Sequence, residues 1–177
     1  HCITDTSSKE GLTIFRFEKH YPKIATAEAL VEPLRYLTTG DEYKKLTTAT
    51  DKKIAVYDFW LEKCGSRERA REIIRVYYGR VESANRKFGS YIEGWKTDRG
   101  MIHIIFGDPK YIDKSNDSES WIYGDRYSSQ SIRFDFLKVN NPFTDNDFYL
   151  QRLSQYKPKW HIAVDTWRAG RAYVHER

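Results

Sequence analysis

The segment Gly94–Pro109, GWKTDRGMIHIIFGDP, carries the residues of this chain whose types and spacing could do chemistry. Asp98 and Arg99 are an acidic and a basic residue that are adjacent in the sequence. They could act as a catalytic pair or bind a carboxylate, with the ring of Trp95 as an aromatic platform beside them. Catalysis would need a further base or nucleophile within hydrogen-bond reach, and the sequence locates none. The residue types therefore favour a structural role for this segment, as a bend between helices and sheet, over an active site.

In the structural interpretation, the first residues of this segment shape a bend that follows a long helix. Gly94 allows the chain a positive φ, and Trp95 turns inward and fills the corner between helices and sheet. Thr97 or Asp98 caps exposed backbone groups, because short polar side chains accept hydrogen bonds from nearby N–H groups. Asp98 and Arg99 hydrogen-bond to neighbouring elements.

The second half of the segment predicts a buried strand. Met101–Phe106 is a continuous apolar run that contains only one polar residue, His103, which we interpret as a core histidine. Gly100 begins this strand without crowding it. Gly107 and Pro109 close it in a turn, because Gly-Asp-Pro is typical turn chemistry.

The histidines and cysteines predict no metal site. No histidine lies three or four residues from another, so no pair shares a helix face, and Cys2 and Cys64 lack metal-ligand spacing. The two cysteines are compatible with a disulfide outside the cytoplasm, and Cys64 is also compatible with a small buried residue. The chain contains neither a Gly-x-Ser-x-Gly elbow nor a phosphate loop, so we expect no cofactor. Enzymatic activity is left undecided, and its absence is favoured.

The charge pattern argues against nucleic-acid binding. The 177-residue chain has a net charge of +5, from 30 basic and 25 acidic residues that are interspersed. The densest basic cluster, Ser66–Arg75, contains two glutamates and suits the solvated face of a helix. No apolar run approaches the roughly 18 residues that a membrane-spanning helix needs.

Hydrophobic periodicity predicts a long helix pair in the first half of the chain. Thr50–Gly65 has apolar positions at helical spacing, and a longer amphipathic helix follows from Ser66 to about Phe88. Because the link between them is short, the two helices should pack antiparallel.

The second half of the chain predicts an antiparallel meander. Further strands are predicted at Glu119–Gly124 and Ser131–Val139, then a last strand or extended edge in FYLQRL and a closing helix in PKWHIAVDTWRAGRAY. Helices, a three- to four-stranded meander and a C-terminal helix make an α+β fold. We expect a single domain over residues 12–177, with a flexible tail or linker at residues 1–11.

The sequence also resembles a known family. GWKTD at Gly94–Asp98, followed by RGMIHIIFGDP, resembles the signature of the GWxTD domain. Other blocks resemble the family in the same order, so that the likeness covers about Phe15 to Tyr173: PLRYLTTGDEYKKL, FWLEKCGSRERAREIIRVYYGRVESANRKF, SESWIYG, NNPFTDNDFYLQR and YKPKWHIAVDTWRAGRAY.

This resemblance implies a location more than a reaction. Such domains form the C-terminal part of larger secreted or envelope proteins of Gram-negative bacteria, which implies a further region before His1. We therefore expect a non-catalytic module that binds or scaffolds another protein at the periplasmic side of the outer membrane. Its partner would be another envelope protein or the missing N-terminal region, with no nucleic acid and no transmembrane segment. The alternative is a hydrolase or glycan-binding domain with a cleft around Trp95, Asp98 and Arg99.

Overall fold

The computed structural model describes residues 13–175, which form an α+β fold. Six α-helices and four strands follow one another within these residues, with a 3-10 helix at Glu32–Tyr36 and another at Gly94–Lys96. The α-helices are α1 (Ala27–Val31), α2 (Gly40–Thr48), α3 (Lys52–Cys64), α4 (Arg67–Phe88), α5 (Asp98–Phe106) and α6 (Tyr156–Arg168). The strands are β1 (Tyr111–Lys114), β2 (Ser118–Tyr123), β3 (Ile132–Lys138) and β4 (Phe148–Leu150).

Local capping residues fix where the helices begin and end. Thr39 and Glu42 form a reciprocal capping box at the start of α2. Ser66 caps α4, and Gly65 ends α3 in the left-handed region at φ 71°. These two residues form the short link of the predicted helix pair, and α3 and α4 pack against each other with the rings of Trp60 and Tyr77 5.3 Å apart.

The sheet is an antiparallel meander with strand order β1-β2-β3-β4, as the sequence predicts. One of its faces packs on the helices through large buried rings: Trp121, Phe134 and Phe136. The alternate positions of the strands carry polar side chains such as Arg133 and Asp135. Helices cover one face of the sheet, so the core lies in a single layer between α-helices and strands.

The apolar run Met101–Phe106 is a helix, α5, and the predicted strand is wrong. Ile102–Phe106 is buried on every side because α5 packs against α4, α6 and the sheet. A helix that is buried all round loses its amphipathic pattern and carries an apolar run like that of a buried strand. The first strand of the meander is β1 instead, which comes after the Gly-Asp-Pro turn.

Several expectations concern residues outside 13–175. The predicted tail at residues 1–11 and Cys2 lie outside the described residues, and the domain limits 12–177 stay a prediction. Cys64 lies in α3 as a buried free thiol. Among residues 13–175, no helix combines the length and apolarity that crossing a membrane requires.

Candidate functional site

The glycines of the GWKTD segment permit a very close approach of backbones. A Cβ on Gly94 would lie 2.0 Å from the Ala84 carbonyl oxygen, and a Cβ on Gly100 would lie 1.9 Å from the Gly94 oxygen. Neither glycine has a positive φ, so the predicted left-handed bend at Gly94 is wrong. Likewise, Gly100 lies in the first turn of α5 and not at a strand start. These glycines hold α4, the 3-10 turn and α5 in direct contact.

Trp95 is buried, with 5% of its surface exposed, as expected for a residue that fills a corner. Its backbone N–H donates to Asn85 Oδ1 at 3.1 Å, and its carbonyl accepts from the Tyr36 hydroxyl at 2.8 Å. The ring meets Tyr36 edge-on at 6.1 Å and lies beneath the Lys96 ammonium at 5.2 Å. Trp95 therefore joins the N-terminal helices to the segment that precedes α5.

Thr97 and Asp98 secure the start of α5 by different means. The Thr97 hydroxyl donates to the Gly94 carbonyl at 2.8 Å and accepts from the Gly100 N–H at 3.0 Å, which makes Thr97 the N-cap. Asp98 Oδ2 accepts from the backbone N–H of Leu150 in β4 at 2.7 Å, and Oδ1 accepts from Arg152 at 2.8 Å. Asp98 thus ties the helix to the outer edge of the last strand.

Arg99 points to a different part of the sheet. Its guanidinium is buried, lies 4.0 Å above the Phe148 ring, and forms an ion pair with Glu119 of β2 at 3.3 Å. It also donates to the side-chain and backbone oxygens of Asn146. Burial lowers the pKa of Arg99, and the nearby negative charge of Glu119 opposes that shift.

Gly107 and Pro109 close α5 and lead into β1. Gly107 has φ 83°, a conformation that glycine adopts without strain, and its N–H bonds to the His103 carbonyl. Its own carbonyl accepts from the buried Tyr123 hydroxyl at 2.8 Å. Pro109 follows in the link to β1. The predicted turn is present, although it ends a helix.

A match to a family model over most of the chain decides the family. The model of the GWxTD domain family matches residues 1–169. The chain belongs to the GWxTD domain family. No curated protein and no solved structure matches it. The geometry above is therefore that of the GWxTD motif, Gly94–Asp98, in this family member.

The GWxTD motif does not form one cleft with Arg99. Trp95 packs toward Tyr36, Asp98 bonds to Leu150 and Arg152, and Arg99 bonds to Glu119, so the three predicted binding residues face three directions. Arg99 does line a cavity of about 490 Å³, which we call the Arg99 pocket. Its other lining residues are Lys87, Phe88, Asp108, Pro109, Ile112, Lys114, Glu119, Trp121, Asp145, Asn146 and Phe148.

The charged groups of the Arg99 pocket already satisfy one another. Burial alone would raise the pKa of Glu119, but the charge of Arg99 and hydrogen bonds from Lys114 and Trp121 hold that pKa below its ordinary value. Asp108 pairs with Lys87 at 2.8 Å. The pKa values of Asp108 and Glu119 are both lowered, whereas a general acid needs a raised pKa. Within residues 13–175, no group of three His, Cys, Asp or Glu side chains is arranged to hold a metal ion.

His103 is buried in α5, near the same pocket but not on its lining. Its Nδ1 lies 3.4 Å from Asp108 Oδ1, and its ring contacts Phe88 at 5.5 Å. Burial lowers the pKa of His103 to about 4. This effect of burial is larger than the opposing effect of the negative charge of Asp108, which raises the pKa. His103 is buried in the core, as predicted, but the expectation of a histidine with satisfied hydrogen bonds is not met, because neither ring nitrogen makes a well-formed hydrogen bond within residues 13–175.

A second cavity, of about 560 Å³, opens on the Asp98 side of α5, and we call it the α5–α6 groove. Its apolar walls are Met101, Ile102, Phe134, Leu150, Leu153 and Trp160. Its polar residues are Arg152, Ser154, Tyr156 and Lys157. No local sequence pattern reveals this groove, because its walls come from α5, β3, β4 and the start of α6, and only the fold brings them together.

Proposed function

We propose that this GWxTD domain is a non-catalytic module that binds another protein at the periplasmic side of the outer membrane. The observation that carries the proposal is a difference between two neighbouring parts of α5: one bonds within the fold, and the other faces an open groove. The polar side chains of the GWxTD motif are used within the fold, whereas the α5–α6 groove next to them is open and mostly apolar. An open apolar depression with a few polar groups at its edge is typical of binding sites.

The arrangement of the carboxylates supports a role without catalysis. Asp98 accepts hydrogen bonds from Leu150 and Arg152, and Glu119 accepts from Trp121 and is paired with Arg99 and Lys114. A general base or nucleophile must be able to reach a substrate, and these groups are occupied by internal partners.

The alternative of a glycan-binding domain has less support from the Arg99 pocket. Sugar recognition commonly uses the open face of an aromatic ring, yet Trp121 is 1% exposed and Trp95 does not line the Arg99 pocket. The Arg99 side chain itself covers the Phe148 ring. The proposed docking surface is therefore the α5–α6 groove.

The first experiment tests binding through this groove. The full chain is immobilised and exposed to an envelope extract of the source organism, beside the variants Leu153→Asp and Ile54→Asp. Leu153 lies in the groove and is 40% exposed, whereas Ile54 is 59% exposed on α3 and outside the groove. Both variants place a carboxylate at an exposed apolar position, so they serve as a matched pair.

We expect Leu153→Asp to lose a captured protein that the wild type and Ile54→Asp both retain. Thermal melts of the two variants check that each one is folded. Capture that is equal for all three chains, or absent for all three, contradicts the proposal.

The compartment is a separate part of the proposal and rests on the family likeness. Fractionation of cells that express the full-length protein from its own gene tests it. We expect the protein in the periplasmic or outer-membrane fraction, and recovery with a cytoplasmic marker contradicts this placement.

A further inference from the structure

We infer that the α5–α6 groove receives an acidic, apolar segment of the protein partner: an apolar side chain enters the groove, and an adjacent carboxylate pairs with Arg152 and Lys157. This inference rests on the proposed function and specifies the chemistry of the partner. It is carried by the charge of the groove as much as by its apolar walls.

The apolar part of the groove has the size and lining for an inserted side chain. Ile102 and Phe134 form its buried floor, and Trp160 and Leu153 stand at its sides and are partly open to solvent. Its volume of about 560 Å³ falls in the range of cavities that hold small organic groups. Contact with such walls stabilises an apolar side chain by removing its surface from water.

The charged part of the groove is positive. Arg152 and Lys157 are its only charged lining residues, and no acidic side chain lines it within the described residues. Arg152 is 71% exposed at its side chain and donates to Asp98 through Nη2, so the rest of its planar fork faces outward. An arginine fork suits a carboxylate because two parallel hydrogen bonds can form.

Lys157 and the start of α6 add to this positive field. Within residues 13–175, the Lys157 ammonium makes no ion pair and no hydrogen bond. The first turn of α6 contains no acidic residue, so its N-terminal dipole is not neutralised there. The Tyr156 hydroxyl at the same edge is buried and makes no well-formed hydrogen bond.

Asp98 of the GWxTD motif fixes the position of Arg152. One carboxylate oxygen is held by the β4 backbone at Leu150, and the other holds the guanidinium. The motif thereby places a cation at the edge of the groove, and a carboxylate of the partner would complete the coordination of that cation.

A small probe with the required chemistry tests this inference directly. N-acetyl-L-phenylalanine carries an aromatic side chain beside a carboxylate, and its amide is the same molecule without the charge. The ¹⁵N-labelled chain is titrated with each probe, and the Trp160 indole N–H resonance reports on the groove.

We expect saturable shifts at Trp160 and an affinity about five-fold higher for the acid than for the amide, as one exposed ion pair provides. Arg152→Gln should reduce the preference for the acid at least about two-fold and leave the binding of the amide unchanged. Arg126→Gln is the matched control, because Arg126 is an exposed arginine that pairs with Asp113 away from the groove, and it should keep the preference.

Two results would overturn the inference: equal affinities for the acid and the amide, or shifts of the acid complex that map outside the groove. Its failure can be separated from failure of the proposed function. If capture depends on Leu153 but the acid has no preference, the groove is an interface and the acidic chemistry is wrong. If the acid binds as expected but no protein is captured, the groove chemistry holds and protein binding is wrong.

Discussion

Asp98 and Arg99 are adjacent in the chain, yet their side chains stabilise different connections. Successive residues of a helix point about 100° apart, so Asp98 reaches β4 and Arg99 reaches β2. The residue types predict that both side chains bond to neighbours, and this expectation is met. Their partners could not be predicted, because Leu150 lies 52 residues after Asp98 and only the folded sheet brings it near.

Trp95 should contribute a large part of the stability of the domain. We predict that Trp95→Ala lowers the free energy of unfolding by about 3–5 kcal/mol, because a buried ring is replaced by a cavity. Urea unfolding measures this change. Tyr91→Ala, at a ring that is 50% exposed, should change stability by about 0.5 kcal/mol or less. A loss at Trp95 below about 1 kcal/mol would contradict its role in the corner.

His103 should make stability depend on pH. The pKa of His103 is about 4 in the fold and near 6.5 in an unfolded chain, so between these values the unfolded chain binds more protons. The contribution of neutral His103 to the free energy of unfolding is therefore fully present above about pH 6.5 and declines as the pH falls toward 4. We predict a loss of about 2 kcal/mol between pH 7 and pH 5, measured by urea unfolding at each pH.

A pair of histidine variants isolates this effect. His103→Leu should remove most of the slope between pH 7 and pH 5, because the proton-binding group of the unfolded chain is gone. His161→Leu, at an exposed position of α6, should keep the slope. An unchanged slope in His103→Leu would assign the pH dependence to other groups.

At the scale of elements, α5 marks the limit of prediction from this sequence. A six-residue apolar run suits a buried strand or a buried helix equally, and periodicity cannot separate them. The residues at its two ends favour a helix over a strand, since Thr97 caps the first turn and Gly107 ends the helix with a positive φ. By contrast, the longer α4 and the alternating β3 have clear periods, and both lie where the sequence predicts them.

The close contact between α4, the 3-10 turn and α5 should tolerate no side chain at its glycines. We predict that Gly100→Ala lowers the free energy of unfolding by about 3 kcal/mol, because the new Cβ would overlap the Gly94 carbonyl. Gly79→Ala is the matched control in α4, where a Cβ meets nothing within 4 Å. It should stabilise the helix by up to about 1 kcal/mol. Equal effects of the two substitutions in urea unfolding would contradict the packing argument.

At the scale of the whole molecule, the order of elements could be predicted but the binding surface could not. Helical periodicity in the first half of the chain and the strands that follow the Gly-Asp-Pro turn give the α+β class and the meander. The α5–α6 groove joins side chains from Met101 to Trp160 that share no local pattern. The GWxTD motif thus connects α4, α5 and β4 within the domain, and we propose that the adjacent groove binds the partner.

Amide hydrogen exchange of the full chain, alone and with the captured envelope protein, tests this account most directly. The loop that enters α6, at residues 152–155, borders the groove and has no regular secondary structure before Tyr156. We expect binding to slow exchange in this loop and to leave the exchange of β1, beside the Arg99 pocket, unchanged. Slower exchange in β1 with an unchanged loop would contradict the account and move the docking surface to the Arg99 pocket.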